Sequence, residues 1–126
     1  MEPFSFTSRD GLEIHGYLSY PPGADRVNLP TVLNVHGGPW LRDGWGFHPE
    51  AQWLANRGYL CVQVNFRGST GYGKDFVTAS NREWGAKMHD DLIDALEHLI
   101  AMVSTRNADH DRRHPINMKV TTSMGA

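Results

Sequence analysis

The sequence has one cysteine, Cys61, so no disulfide can close within it. That residue lies in the apolar run YLCVQV, which predicts a buried and unreactive thiol. The run, Tyr59 to Val64, is the longest clear apolar stretch and is far too short to cross a bilayer. The opening residues, MEPFSFTSRDG, lack a basic segment followed by an apolar one, so no secretory signal is read and the expected location is cytoplasmic. An excess of one charge is also missing. Twelve Lys and Arg stand against 14 Asp and Glu, a formal net charge of −2, which argues against nucleic acid or an anionic membrane as a main partner. GSTGYG, Gly68 to Gly73, is not followed by the Lys-Ser/Thr pair of a phosphate-binding loop, since Asp75 comes after Lys74, and it reads as a flexible turn. No internal repeat is visible.

What is present fits one α/β domain, since 126 residues is the size of a single typical domain. Phe4 to Ser8 and Leu12 to Tyr20 alternate as two strands around an Asp-Gly turn. TVLNV, Thr31 to Val35, reads as a strand buried on both faces. HPEAQWLANRG follows with helix punctuation: Pro49 at the first position, Trp53 and Leu54 as the apolar face, and Gly58 as the stop. YLCVQVNF is the next strand, completing a βαβ unit. In DDLIDALEHLIAMV, the residues Leu92, Leu96, Leu99 and Val103 recur at helical spacing, with Ile93 and Ile100 widening the stripe and His98 on the polar side. Asp90 and Asp91 are expected to complement that helix's N-terminus. The domain core is therefore placed at residues 1–103, with a polar tail at 104–126 that holds one further possible strand at 116–122.

SRDGLEIHGYL, LPTVLNVHGGPW, QWLANRGY, VNFRGSTGYGKDF and NREWGAKMHDDLIDAL occur in an order that resembles the prolyl oligopeptidase family, in its acylaminoacyl-peptidase and dipeptidyl-aminopeptidase branch. The resemblance covers about residues 4–100. It implies a partial α/β-hydrolase fold: an N-terminal hairpin, then βαβ units of a mainly parallel sheet, with the C-terminal half of the fold missing. It also implies that a backbone N–H within His36, Gly37 and Gly38 serves as an oxyanion donor. Glycines there let the backbone approach a tetrahedral intermediate closely, with donors aimed where charge develops.

The family's nucleophile sits in a Gly-x-Ser-x-Gly elbow, and this sequence has no such motif. The nearest match is VTTSMGA, which makes Ser123 the candidate nucleophile. Gly125 stands correctly two residues after it, but Thr121 replaces the glycine two residues before, where a β-branched residue resists positive φ. In α/β-hydrolases the acid and the histidine follow the serine, and only Met124, Gly125 and Ala126 follow here. His110 or His114, with Asp109 or Asp111, are the remaining base and acid candidates for Ser123.

Three functions follow as expectations. The first is a serine-hydrolase-like protein acting on small carboxylic esters or short peptide-like substrates, without a cofactor or metal, through a reduced site or one completed by another copy. The second is a non-catalytic α/β fragment that self-associates, as a homo-oligomer, through an exposed sheet edge. The third is metal-assisted hydrolysis by His110 and His114, spaced i and i+4 with Asp111 between them; Pro115 directly after would end the helix such a site needs.

Overall fold

The structure is a computed structural model that describes residues 1–23, 26, 29–37, 40–107 and 121–124, with residues 103–107 and 121–124 described as backbone alone. Strands β1 (Glu2–Thr7) and β2 (Glu13–Ser19) form the expected hairpin, in register from Glu2↔Leu18 to Thr7↔Glu13. Its turn closes when the Gly11 N–H donates to the Ser8 carbonyl at 2.9 Å, with Gly11 at φ 92°, a value that costs glycine no Cβ clash. Strand β3 (Thr31–Val35) leads to helix α1 (Pro49–Asn56), and strand β4 (Leu60–Asn65) follows. Helix α2 (Lys74–Thr78) and helix α3 (Lys87–Asn107) precede strand β5 (Thr121–Met124).

The sheet order is β1-β2-β4-β3-β5. The expectation of a mainly parallel sheet is corrected: β1·β2 and β2·β4 are antiparallel, β3·β4 and β3·β5 parallel, so the sheet is mixed. The antiparallel half comes from the hairpin, whose short turn can join only antiparallel neighbours. The core gathers on the α3 side of the sheet, where Phe6, Ile14, Leu18, Leu33, Val62 and Leu99 are among its buried members. Every residue of β4 is buried, as befits the central strand.

Helices depart from expectation in instructive ways. His48 caps α1, its ring Nδ1 accepting from the Ala51 N–H at 3.4 Å, and Pro49 takes the first position as expected. The residues α1 buries are Ala51 and Ala55, whereas Trp53 is exposed and carries the Arg57 guanidinium 3.9 Å above its ring. Small residues let α1 approach the sheet closely, and the large ring is left at the rim. Helix α2, only five residues long, has no periodicity to read. Helix α3 begins at Lys87, so Asp91 lies a turn inside it and is fully buried rather than complementing the helix end. Its inner face is Ala95, Leu96 and Leu99; Ile100 is exposed, and His98 stacks on Phe6 with ring centroids 5.7 Å apart. Among the described residues no helix is long and apolar enough to cross a membrane.

Strand β5 pairs with β3 from Val32↔Thr121 to Val35↔Met124, so the last strand lies beyond the range expected for it at Ser123 and Met124. Residues 116–120, expected in that strand, lie outside the described residues. Ser123 thus occupies a strand position opposite Asn34, not the turn after the strand.

Candidate active site

β3 ends at Val35, and the chain leaves the sheet through His36 and Gly37. Gly37 is exposed, whereas the His36 side chain is only 9% exposed. Its ring stacks on Phe66, just past the end of β4, with centroids 4.8 Å apart and planes 16° apart. Nδ1 of His36 lies 3.0 Å from Oδ2 of Asp43. A hydrogen on Nδ1 facing that carboxylate satisfies both groups and leaves Nε2 toward Ser69, whose Oγ is 3.4 Å away.

Asp43 is buried and held on every side. Its Oδ1 accepts from the Gln63 amide at 3.1 Å. Its backbone N–H donates to Oδ1 of Asn65 at 2.7 Å, and its carbonyl accepts from Nδ2 of Asn65 at 2.9 Å. The same Nδ2 donates to the Tyr72 hydroxyl at 2.9 Å. Gln63 and Asn65 share one face of β4 because strand side chains alternate. That face turns two amides toward the segment that follows β3.

Ser69, His36 and Asp43 thus lie in the order of a serine-protease relay. The chemistry is different. Ser69 is fully buried, and its hydroxyl donates to the Phe66 carbonyl at 2.7 Å, a much better hydrogen bond than the 3.4 Å approach to His36. An oxygen with no open face and a committed proton is not poised to attack a carbonyl. Cys61 offers no nucleophile either: it is buried, and burial, with Asp43 and Glu50 adding negative charge, pushes its thiol up to about 12.

The structure brings His36 and Gly37 to the end of β3 and sets Ser123 in the neighbouring strand. Gly38, Asp109, His110, Asp111 and His114 lie outside the described residues. Among the described residues no group of three or more His, Cys, Asp or Glu side chains could hold a metal ion. The network around Asp43 is what sequence reasoning missed, having read HGG for its backbone alone. Two signals were there: Gln63 and Asn65 alternate as polar residues in an apolar strand, and His36 and Asp43 bracket one short glycine-proline segment.

A sequence profile described as the prolyl oligopeptidase family matches residues 45–112, more than half of the chain. Dipeptidyl aminopeptidase BIII of Pseudoxanthomonas mexicana is 54% identical over 102 residues, covering 75% of this chain and 15% of that protein. Dipeptidyl peptidase family member 6 of Caenorhabditis elegans is 44% identical over 119 residues, covering 78% of this chain and 16% of its own length. Among solved structures, Pyrococcus horikoshii acylaminoacyl peptidase superposes with a TM-score of 0.72 at 34% identity, over 80% of this chain and 16% of that one. A Mycobacterium tuberculosis puromycin-hydrolyzing peptidase gives a TM-score of 0.76 at 26% identity, over 98% of this chain and 19% of its own. The chain therefore spans less than a fifth of each of these proteins, and its mixed sheet corresponds to part of their α/β-hydrolase fold. The family profile, the identities to these relatives and the structural superposition agree: the chain belongs to the prolyl oligopeptidase family.

Proposed function

We propose that the chain supplies the oxyanion-stabilising side of a serine-hydrolase site that acts on small esters and peptide-like acyl compounds. The observation that carries this reading is the parallel register of β3 and β5. Asn34 pairs with Ser123 and Val35 with Met124, so exposed Gly37 and Ser123 lie toward the same, C-terminal, end of adjacent strands. Ligands of open α/β sheets bind outside that end. In the proposed reaction the Ser123 oxygen bonds to the carbonyl carbon while its proton passes to a base. The carbonyl oxygen takes up the negative charge, facing N–H groups of Gly37 and Gly38. The alcohol or amine then leaves with a proton, and water releases the acyl group. His110 or His114, oriented by Asp109 or Asp111, is the base considered within the chain; a base from a second copy is the other source.

Esters are favoured over amides because their leaving groups need less protonation. Oxyanion stabilisation and binding alone retain roughly 10³–10⁴-fold catalysis when a triad is lost. Peptide-like substrates come from the relatives, which are aminopeptidases and peptidases by name, one of them solved with a peptidyl chloromethyl ketone. The test is a fluorophosphonate probe followed by peptide mass spectrometry. An adduct on Ser123 supports the proposal. An adduct on Ser69 would move the nucleophile to the buried relay, and no adduct on a folded protein would overturn catalysis in this chain. In that last case association becomes the better account, a reading supported by the place of β5 at the end of the described sheet order.

A further inference from the structure

Glu50, in the first turn of α1, and Arg57, at its C-terminal cap, stand at opposite ends of one groove that the proposed chemistry does not use. The helix buries Ala51 and Ala55 and rests mainly on β4 and β2, so part of β3 is left beside it as a floor. The groove measures about 430 Å³, with Val32 and Asn34 beneath and Trp53 and Leu54 along its wall. That volume suits a small ligand. Glu50, Trp53, Leu54 and Arg57 recur at i, i+3, i+4 and i+7, one stripe of a helix. Seven residues at 1.5 Å each set two opposite charges roughly 10 Å apart, with an apolar stretch between them. Glu50 is exposed and accepts one bond, from the Asn34 amide to Oε2 at 3.0 Å. The Arg57 guanidinium lies over the Trp53 ring and gives one weak bond, from Nη1 to the Trp53 carbonyl at 3.4 Å. A stacked guanidinium keeps the donors on its edge for a planar anion. Among the described residues neither group is in a salt bridge. Each is a full charge, larger than the half charge of the helix end beside it.

We propose that this groove binds a short extended peptide with free termini, its ammonium at Glu50, its carboxylate at Arg57 and an apolar middle side chain against Val32 and Leu54. The spacing of the charges fixes the length. An extended chain advances about 3.3–3.6 Å per residue, so three residues span roughly 10 Å. A shorter zwitterion cannot touch both charges, and a longer one overshoots one of them. Side chains alternate along an extended chain, so the middle one faces the floor while its neighbours face away. The site needs neither Gly37 nor Ser123, and it stands whether or not the chain is catalytic.

The test is a titration of the full chain with the tripeptide Ala-Leu-Ala, followed at the Trp53 indole N–H by nuclear magnetic resonance. Trp45 and Trp84, also exposed but outside the groove, are internal controls. The Trp53 signal should shift and saturate below about 10 mM peptide while the controls stay in place. N-acetylation removes the ammonium and C-terminal amidation the carboxylate, and each should weaken binding about threefold, the scale of one exposed ion pair. Glu50→Gln should erase the effect of acetylation and leave that of amidation, and Arg57→Gln should do the reverse. Both positions are exposed, and a glutamine at 50 still accepts from Asn34, so these variants keep the fold. A Trp53 signal that ignores the peptide, or blocking effects that the two variants leave unchanged, overturns the proposal. So does a Trp53 signal that moves with protein concentration alone, which would assign the groove to a second copy of the chain.

Discussion

The side-chain amide of Asn65 binds Asp43 as a neighbouring strand would, donating to the carbonyl and accepting from the N–H of one residue. It is wholly buried, so water does not readily replace those bonds when it is removed. Asn65→Ala leaves the buried Asp43 N–H without its partner and its carbonyl with only the longer Arg42 Nε bond at 3.3 Å, each lost bond costing about 1–3 kcal/mol. The expected loss is about 2–4 kcal/mol of unfolding free energy, read as a lower urea midpoint with unchanged slope. Asn34, the corresponding polar residue of β3, is buried too, but it donates at 3.0 Å to Glu50, an exposed residue whose place water can take. Asn34→Ala should therefore cost clearly less. The difference between two asparagines in adjacent strands lies in what each one faces.

At the scale of elements, one ion cluster ties the hairpin turn, the end of β4 and helix α3 together. Arg67, only 4% exposed at its side chain, donates to both oxygens of Asp91 and to both oxygens of Asp10. Ser8 donates to Asp91 at 2.8 Å, and Arg9 pairs with Asp94. Removing one member of a buried pair strands the other charge, so Arg67→Ala should destabilise by about 3–5 kcal/mol. Arg9→Ala, at an exposed position, should cost much less. The Arg67 guanidinium, chiefly by hydrogen bonding, holds the Asp10 carboxyl at about 2, and Arg9 lowers Asp94 in the same way. Depressed carboxylates stabilise the fold above their ordinary range near ~4, and that stability is lost as pH falls toward ~2. The thermal midpoint should therefore drop over that window, and in Arg67→Ala the Asp10 share of the drop should vanish.

This cluster also shows why some of the molecule could be read from sequence and some could not. Strand periods and helix caps are local, so β1 to β4, α1 and the body of α3 were legible. Asp91 was misread because its role depends on Arg67 and on Ser8, the latter 83 residues away in sequence. The His36 ring was overlooked for a related reason, its stack and its bond being set by residues brought together only by the fold. The motif marked the glycine segment after β3, and only the fold brought together the side chains around it.

On the scale of the whole molecule, β5 and β1 end the described sheet order. The four paired residues of β5 are matched on one side by β3, and among the described residues no strand pairs with its other side, where a terminal strand offers its backbone groups. Large apolar side chains lie exposed as well, among them Trp45 at 72% and Phe47 at 82%. Size-exclusion chromatography with light scattering should therefore show a mass above 14.2 kDa that rises with concentration. A constant monomer mass would remove self-association from consideration.

The hairpin, finally, is held from three directions besides its own connection to β3. It pairs with β4 over His15↔Asn65 to Ser19↔Cys61, sends Phe6, Ile14 and Leu18 into the core, and meets Arg67 through Asp10. Covalent continuity between β2 and β3 is therefore not what keeps the first two strands in place. A molecule nicked between them would remain one particle, and its opening strands become a part that can be supplied separately, as a peptide that finds its slot beside β4.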